Sequence, residues 1–156
     1  INNYIQREGL HVILNPSLDC CSYSIKNDNL NIVPQDRWYD EELYYRTIFH
    51  ELIHSTGVEK RLNRWTIKSY QNSMLAKAIE EIVAEYGSLL ISHKLGYQLL
   101  NDNTMNYLLS YLKTLPKSDY KSLIAAFNMA EQASNYIFDG KVSTEDDGEE
   151  NGDIEE

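Results

Sequence analysis

The chain is poor in cysteine, in long apolar runs and in positive charge. Its two cysteines, Cys20 and Cys21, are adjacent, and neighbouring cysteines rarely bridge each other because the geometry is strained. No disulfide framework is therefore expected, and no cysteine metal site. Two free thiols point to a reducing compartment, the cytoplasm. No apolar stretch approaches the roughly 20 residues needed to span a bilayer, so no membrane association is expected. Bases number 14 against 24 acids. That balance argues against a free-standing nucleic-acid binder, which needs a basic face to neutralise phosphates. No internal repeat is visible, and the first residue is Ile1, as in a processed or excised piece, which leaves a removed leader open.

The charge deficit is local. Eight acids and no base lie between Glu145 and Glu156. Removing those eight leaves 16 acids against 14 bases, so residues 1–144 carry only −2. The expected organisation is one domain over residues 1–140 and an acidic, disordered, solubilising tail over 141–156. A length of 156 residues with 42% hydrophobic composition is enough to bury one core.

The N-terminal third reads as strands. Residues 1–8 give no strong signal. Leu10–Leu14 is a short strand stopped by Asn15-Pro16. Cys21–Ile25 and Leu30–Val33 flank a polar turn at Lys26–Asn29, a hairpin pattern. From Asp40 the period changes to that of a helix, with acids in its first turn and Gly57 as its stop. Residues 58–72 read as irregular, with Arg61, Arg64 and Lys68 as a basic cluster around Trp65. A second long helix is expected from about Ser73 to Leu95, and two more over residues 104–115 and from Ser118 to Gly140. Strands followed by about four helices make an α+β protein with a small antiparallel or mixed sheet.

The chemistry is concentrated in His50-Glu51-Leu52-Ile53-His54, an HExxH motif. Positions i and i+4 stack on one helix face, so both imidazoles can bind one Zn²⁺ while Glu51 reaches a water on it. The motif sits in YYRTIFHELIHSTG, apolar around nearly the whole helix, where buried histidines and a glutamate need partners. A catalytic tetrahedral site needs a third ligand. The second helix supplies AIEEIVAEYG, in which Glu81 and Glu85 share a face. One of the two would bind the ion and the other would accept the N–H of a ligand imidazole. Glu80 points about 100° away, as a solvated charge. His93 lies roughly 18 Å further along the helix and His11 on a strand, both as ordinary histidines.

Taken in order, NLNIVP, YYRTIFHELIHSTG, RLNR, EEIVAEYG and ASNYI resemble the zincin metallopeptidase domain of ArdC-type antirestriction proteins, found also in phage and plasmid polyvalent proteins. The resemblance covers roughly residues 10–138. It implies a zincin fold, a zinc-dependent hydrolase carried by a mobile element, and a link to antirestriction. The EEIVAE segment also resembles the Asn-Glu-x-x-Ser-Asp segment of thermolysin-like gluzincins. By position this makes Glu81 the third ligand beside His50 and His54, and makes Glu85 the acid that orients a ligand histidine. Glu80 and Glu85 replace the usual Asn and Asp.

Full ArdC-type proteins carry an N-terminal single-stranded-DNA-binding domain outside the matching stretch, so DNA contact is not expected of this chain alone. RLNR is read as bracing the loop after the active helix, in preference to a stacking site on Trp65.

The expected mechanism uses Glu51 as general base and then general acid toward the leaving amine of a peptide or protein substrate. The strand Leu30, Asn31, Ile32 and Val33 is expected to pair with the extended peptide. Twelve tyrosines offer many candidates to stabilise the oxyanion, Tyr23 and Tyr70 among them, and nothing in the sequence chooses between them. Two rival readings are an ImmA/IrrE-like repressor-cleaving protease and a non-catalytic zinc module whose acidic tail mimics DNA.

Overall fold

The computed structural model describes residues 1–97, 106, 109–113 and 120–140. Helix α1 (Asn2–Glu8) is followed by strands β1 (His11–Leu14), β2 (Ser22–Ser24) and β3 (Asn29–Ile32). A single 3₁₀ turn at Gln35–Arg37 leads to α2 (Glu41–Thr56), the short α3 (Trp65–Lys68), α4 (Met74–Lys94) and α5 (Tyr120–Asp139). The result is α+β with a mixed three-stranded sheet, as expected. The helix expected over residues 104–115 lies largely outside the described residues. Of those described, 106 and 109–112 are helical. The acidic stretch 141–156 also lies outside them.

The caps explain where the two long helices begin. The Asp40 carboxylate accepts the Leu43 N–H at 3.0 Å, with Glu41 and Glu42 in the first turn. The Ser73 hydroxyl oxygen accepts the Ala76 N–H at 3.2 Å. Each satisfies a donor that the helix leaves open, and the acids suit the positive end of the helix dipole. Helix α1 gave no sequence signal because it is short and polar and buries only Tyr4. It is held by tertiary contact: the Tyr4 hydroxyl and the Ser55 hydroxyl of α2 hydrogen-bond at 2.7 Å.

The sheet order is β1-β3-β2. Strand β1 pairs with β3 in parallel, Val12 opposite Leu30, and β2 pairs with β3 antiparallel, Tyr23 opposite Leu30. The hairpin expected from the polar turn is present. The strand expected to receive a peptide is instead the middle one. With neighbours on both sides, β3 has no free edge for an incoming chain, and Leu30 and Val33 are buried. Among the described residues, the open edge on the side of α2 is β2.

Helix α4 is the centre of the core. Ile79, Ile82, Val83 and Ile91 are buried between α2, which contributes Leu52 and Ile53, and α5, which contributes Ala126, Ala130, Ala133 and Ile137. Gly87 lets α2 and α4 approach. A Cβ there would stand 2.7 Å from Ile53 Cδ1 and 2.8 Å from Ile53 Cγ1. Ile53 is β-branched on a helix and has little rotamer freedom with which to move away.

Gly87→Ala is expected to destabilise the fold by about 1 kcal/mol, the overpacking strain exceeding the helix-propensity gain. Urea unfolding of the two proteins measures it, and an increase in stability would contradict the close approach.

Candidate metal centre

Helix α2 presents His50, Glu51 and His54. Helix α4, packed alongside, presents Glu80, Glu81 and Glu85. The His50 and His54 Nε2 atoms lie 3.1 Å apart. Glu81 faces both, with Oε2 at 3.4 Å from His50 Nε2 and Oε1 at 3.9 Å from His54 Nε2. One ligand atom from each of these three residues lies within 4.8 Å of the others. The structure thus brings together the three residues that the sequence marked as a ligand set.

The outer ring nitrogens decide what the inner ones can do. His50 Nδ1 is 3.2 Å from Glu85 Oε2, and His54 Nδ1 is 3.1 Å from Glu80 Oε1. A carboxylate only accepts, so each Nδ1 carries a hydrogen, and in the neutral ring each Nε2 is a bare lone pair. Two lone pairs facing each other at 3.1 Å repel unless a cation lies against them. Charge points the same way. The four carboxylates Glu51, Glu80, Glu81 and Glu85 are contacted by two guanidiniums, Arg64 at 2.6 Å from Glu80 and Arg46 at 3.9 Å from Glu85. That leaves −2. Two nitrogens, a carboxylate and a double negative excess suit a divalent ion of borderline softness.

When the metal is stripped from the protein, a proton takes that role. Burial works to lower the His50 pKa, but the hydrogen bonds to Glu81 and Glu85 outweigh it and push it up to about 10. Burial works to raise Glu81, and the bond to His50 with the charge of His54 holds it at about 2.

Glu80 is not the solvated charge that its direction suggested. It is fully buried, because the side of α4 it occupies faces the loop after α2 and not water. Arg64 grips it with two bonds, Nη2 to Oε1 at 2.6 Å and Nε to Oε2 at 3.1 Å, and Thr66 donates its hydroxyl hydrogen. Arg64 also donates to the Ile53 carbonyl at 2.8 Å and to Thr56 Oγ1 at 2.6 Å. Burial opposes ionisation of Glu80, but the Arg64 charge and the bonds to His54 and Arg64 hold its pKa at about 2. Glu80 therefore orients His54 as Glu85 orients His50. The available signal was Arg64 in RLNR, a cation with no other obvious use.

The bracing role expected for RLNR is what its two arginines do. The Arg61 guanidinium is buried and bonds both Asp28 oxygens at 2.7 and 3.0 Å, the Ser55 carbonyl at 2.8 Å and Glu8 at 3.2 Å. It ties the hairpin turn, α1 and the end of α2 together. Of the expected basic cluster only Lys68 is exposed. His11 and His93 are exposed and away from the site.

Glu51 faces a pocket of about 350 Å³ that Tyr70 and Tyr23 also line. Its Oε2 accepts the Tyr23 N–H at 2.7 Å, so the edge strand β2 fixes its orientation. Tyr70 donates its hydroxyl hydrogen to Glu81, and its ring meets His54 edge-on at 5.9 Å. Burial, then the Glu81 carboxylate, push its pKa up. The Tyr23 hydroxyl is turned instead to Asp28, at 2.6 Å. Of these two tyrosines, Tyr70 has its hydroxyl at the site.

Residues 2–129 match the model of a family described as zincin-like metallopeptidase. The chain belongs to that family. Its fold is similar to the antirestriction protein ArdC from the R388 plasmid. The Mn(II)-bound form gives a TM-score of 0.71 at 25% identity over 88% of this chain and 50% of that one. The metal-free form gives 0.70 at 24% identity, over 88% and 48%. A DNA primase, TraC of Escherichia coli, is 28% identical over 119 residues, 76% of this chain. The chain spans about half the length of ArdC and 8% of the primase. No helix of this zincin-like chain, among the described residues, is long and apolar enough to cross a membrane.

Glu80→Gln leaves the buried Arg64 without its counter-charge. It is expected to lower stability by about 3 kcal/mol and metal affinity by about tenfold or more, read by urea unfolding and by competition with a chelator. Glu80 and Glu81, held near 2 against an ordinary 4.5, contribute stability that is full above about pH 4.5 and lost as pH falls through about 2. His50, raised from 6.5 to about 10, contributes stability that is full below about pH 6.5 and lost as pH rises through about 10. The metal-free protein is expected to be most stable between those limits. Urea midpoints that kept rising from pH 7 to 10 would contradict this.

Proposed function

We propose that this chain is a zinc-dependent peptidase domain that hydrolyses peptide bonds in a protein substrate. The observation that carries the reading is the pair of opposed imidazole lone pairs at 3.1 Å with Glu81 facing both. His50, His54 and Glu81 would hold the ion, which when bound supplies Lewis-acid polarisation.

The chain's own residues supply the rest. Glu85 and Glu80 hold the ligand imidazoles by their Nδ1 hydrogens, which fixes the rings and raises their basicity. Glu51, oriented by the Tyr23 N–H, takes a proton from the attacking water and returns it to the leaving amine. Tyr70, with its proton retained at neutral pH, can turn its O–H from Glu81 to the oxygen that gains charge as the carbonyl is attacked. The outer edge of β2, where the Tyr23 N–H already meets Glu51, can align an extended peptide beside the site. The likeness to a plasmid antirestriction protein, together with the partial match to TraC, supports a mobile-element setting, an antirestriction role and a cytoplasmic place of action.

Glu51→Gln is expected to keep the metal and to lower peptide hydrolysis by at least ~100-fold. Metal content by atomic absorption and cleavage of a quenched fluorescent peptide library check it. A variant that keeps its metal and cleaves like the parent would overturn the mechanism.

A further inference from the structure

The pocket that holds Glu51 opens on one side. Ile25 and Ile67 line it, and both also line a larger groove of about 770 Å³. The groove forms where three segments meet: the residues after β2, the turn after α2, and α3 with the turn that follows it. Its apolar surface is Ile25, Val58 and Ile67. Its charged residues are Lys26, Lys68 and Glu59.

The lysines carry the argument. Lys26 and Lys68 are exposed and make no ion pair or side-chain hydrogen bond among the described residues. Lys77, on the Glu51 side, has its ammonium 5.6 Å from the centre of the Tyr70 ring. Three lysines therefore lie along one path, in a chain where acids outnumber bases by 24 to 14. Several other bases of the fold are held by acids, Lys60 and Arg61 by Asp28, Arg64 by Glu80 and Arg7 by Glu8, whereas Lys113 and Lys121, far along the chain, are likewise exposed and in no ion pair among the described residues. Two unpaired lysines, against the single acid Glu59 in the groove lining, over an apolar floor complement a chain that offers an apolar side chain next to carboxylates.

We propose that this groove is a specificity subsite for an acidic segment of the polypeptide substrate. An apolar side chain seats on Ile25, Val58 and Ile67, and an adjacent Asp or Glu meets Lys26 and Lys68. A peptide laid along the edge of β2 enters it directly, because Ile25 follows that strand and belongs to both cavities. The inference rests on the peptidase reading and supplies the class of sequence that such a peptidase would prefer.

The test uses the zinc-loaded Glu51→Gln protein, so that peptides bind without being cut. Three rhodamine-labelled peptides of about a dozen residues are compared by fluorescence anisotropy at low salt. They differ only in a central Leu-Glu-Glu, Leu-Lys-Lys or Gly-Glu-Glu. The first is expected to bind about tenfold more tightly than either of the others. Adding Lys26→Glu and Lys68→Glu should reverse the preference between the first two. Equal binding of all three, no binding of any, or an unchanged order in the charge-reversed protein would overturn the subsite. So would a single-stranded oligonucleotide that binds more tightly than the acidic peptide. Cleavage by the zinc-loaded parent separates this from the peptidase reading. If it cuts none of the three while the binding order holds, the subsite stands and the hydrolytic reading falls. If it cuts all three at one rate and binding is equal, the hydrolytic reading stands and the subsite falls.

Discussion

Two carboxylates on one helix hold two imidazoles on another by their outer hydrogens. Glu85 takes His50 and Glu80 takes His54, and the distances of 3.2 and 3.1 Å leave the inner nitrogens facing each other. An arrangement of that kind is unstable by itself. It needs a cation, and it needs α2 and α4 to stay in register so that Glu81 meets both rings. The missing side chain of Gly87 against Ile53 sets the approach of the helices. The ring of buried apolar residues on α4 then fixes its rotation, and with it the faces on which Glu80, Glu81 and Glu85 emerge.

A second layer ties this helix pair to the sheet. Arg64 binds Glu80 and also the Ile53 carbonyl, so the residue behind His54 is anchored to the end of the His50–His54 helix itself. Arg61 does the same one turn of chain earlier, joining Ser55 to Asp28 in the hairpin turn. The hairpin in turn delivers the Tyr23 N–H to Glu51. The RLNR segment is therefore the joint through which the base on α2 and the edge strand β2 are held at a fixed distance.

What could be read from the sequence follows from the range of each interaction. The HExxH pair, the shared face of Glu81 and Glu85, the helix starts near Asp40 and Ser73 and the polar hairpin turn each lie within a few residues of chain, and helical or strand periodicity exposes them. The rest depended on distant neighbours. Periodicity places Glu80 about 100° from Glu81, but it does not say that Arg64 and Thr66 occupy that side. Alternation identifies three strands, but it does not say that β1 crosses over to pair with β3 and makes it the middle strand. Helix α1 has one buried residue, and what it packs on lies some fifty residues away.

That the partner of His54 is a carboxylate, Glu80, and not a neutral amide has a consequence for the electrostatics of the whole site. A neutral partner for His54 would need no counter-ion. A carboxylate buried at that position would be strongly unfavourable unless a cation of matching geometry met it, and Arg64 does so with a bidentate grip that leaves its remaining hydrogens for Thr56 and Ile53. The pair is neutral as a unit, so it gives His54 a stronger hydrogen-bond acceptor without adding net charge around the ion. The same guanidinium closes the end of α2. Changing Glu80 without changing Arg64 removes an acceptor from a ligand histidine and strands a buried cation at once, so the two positions are coupled energetically although 16 residues separate them.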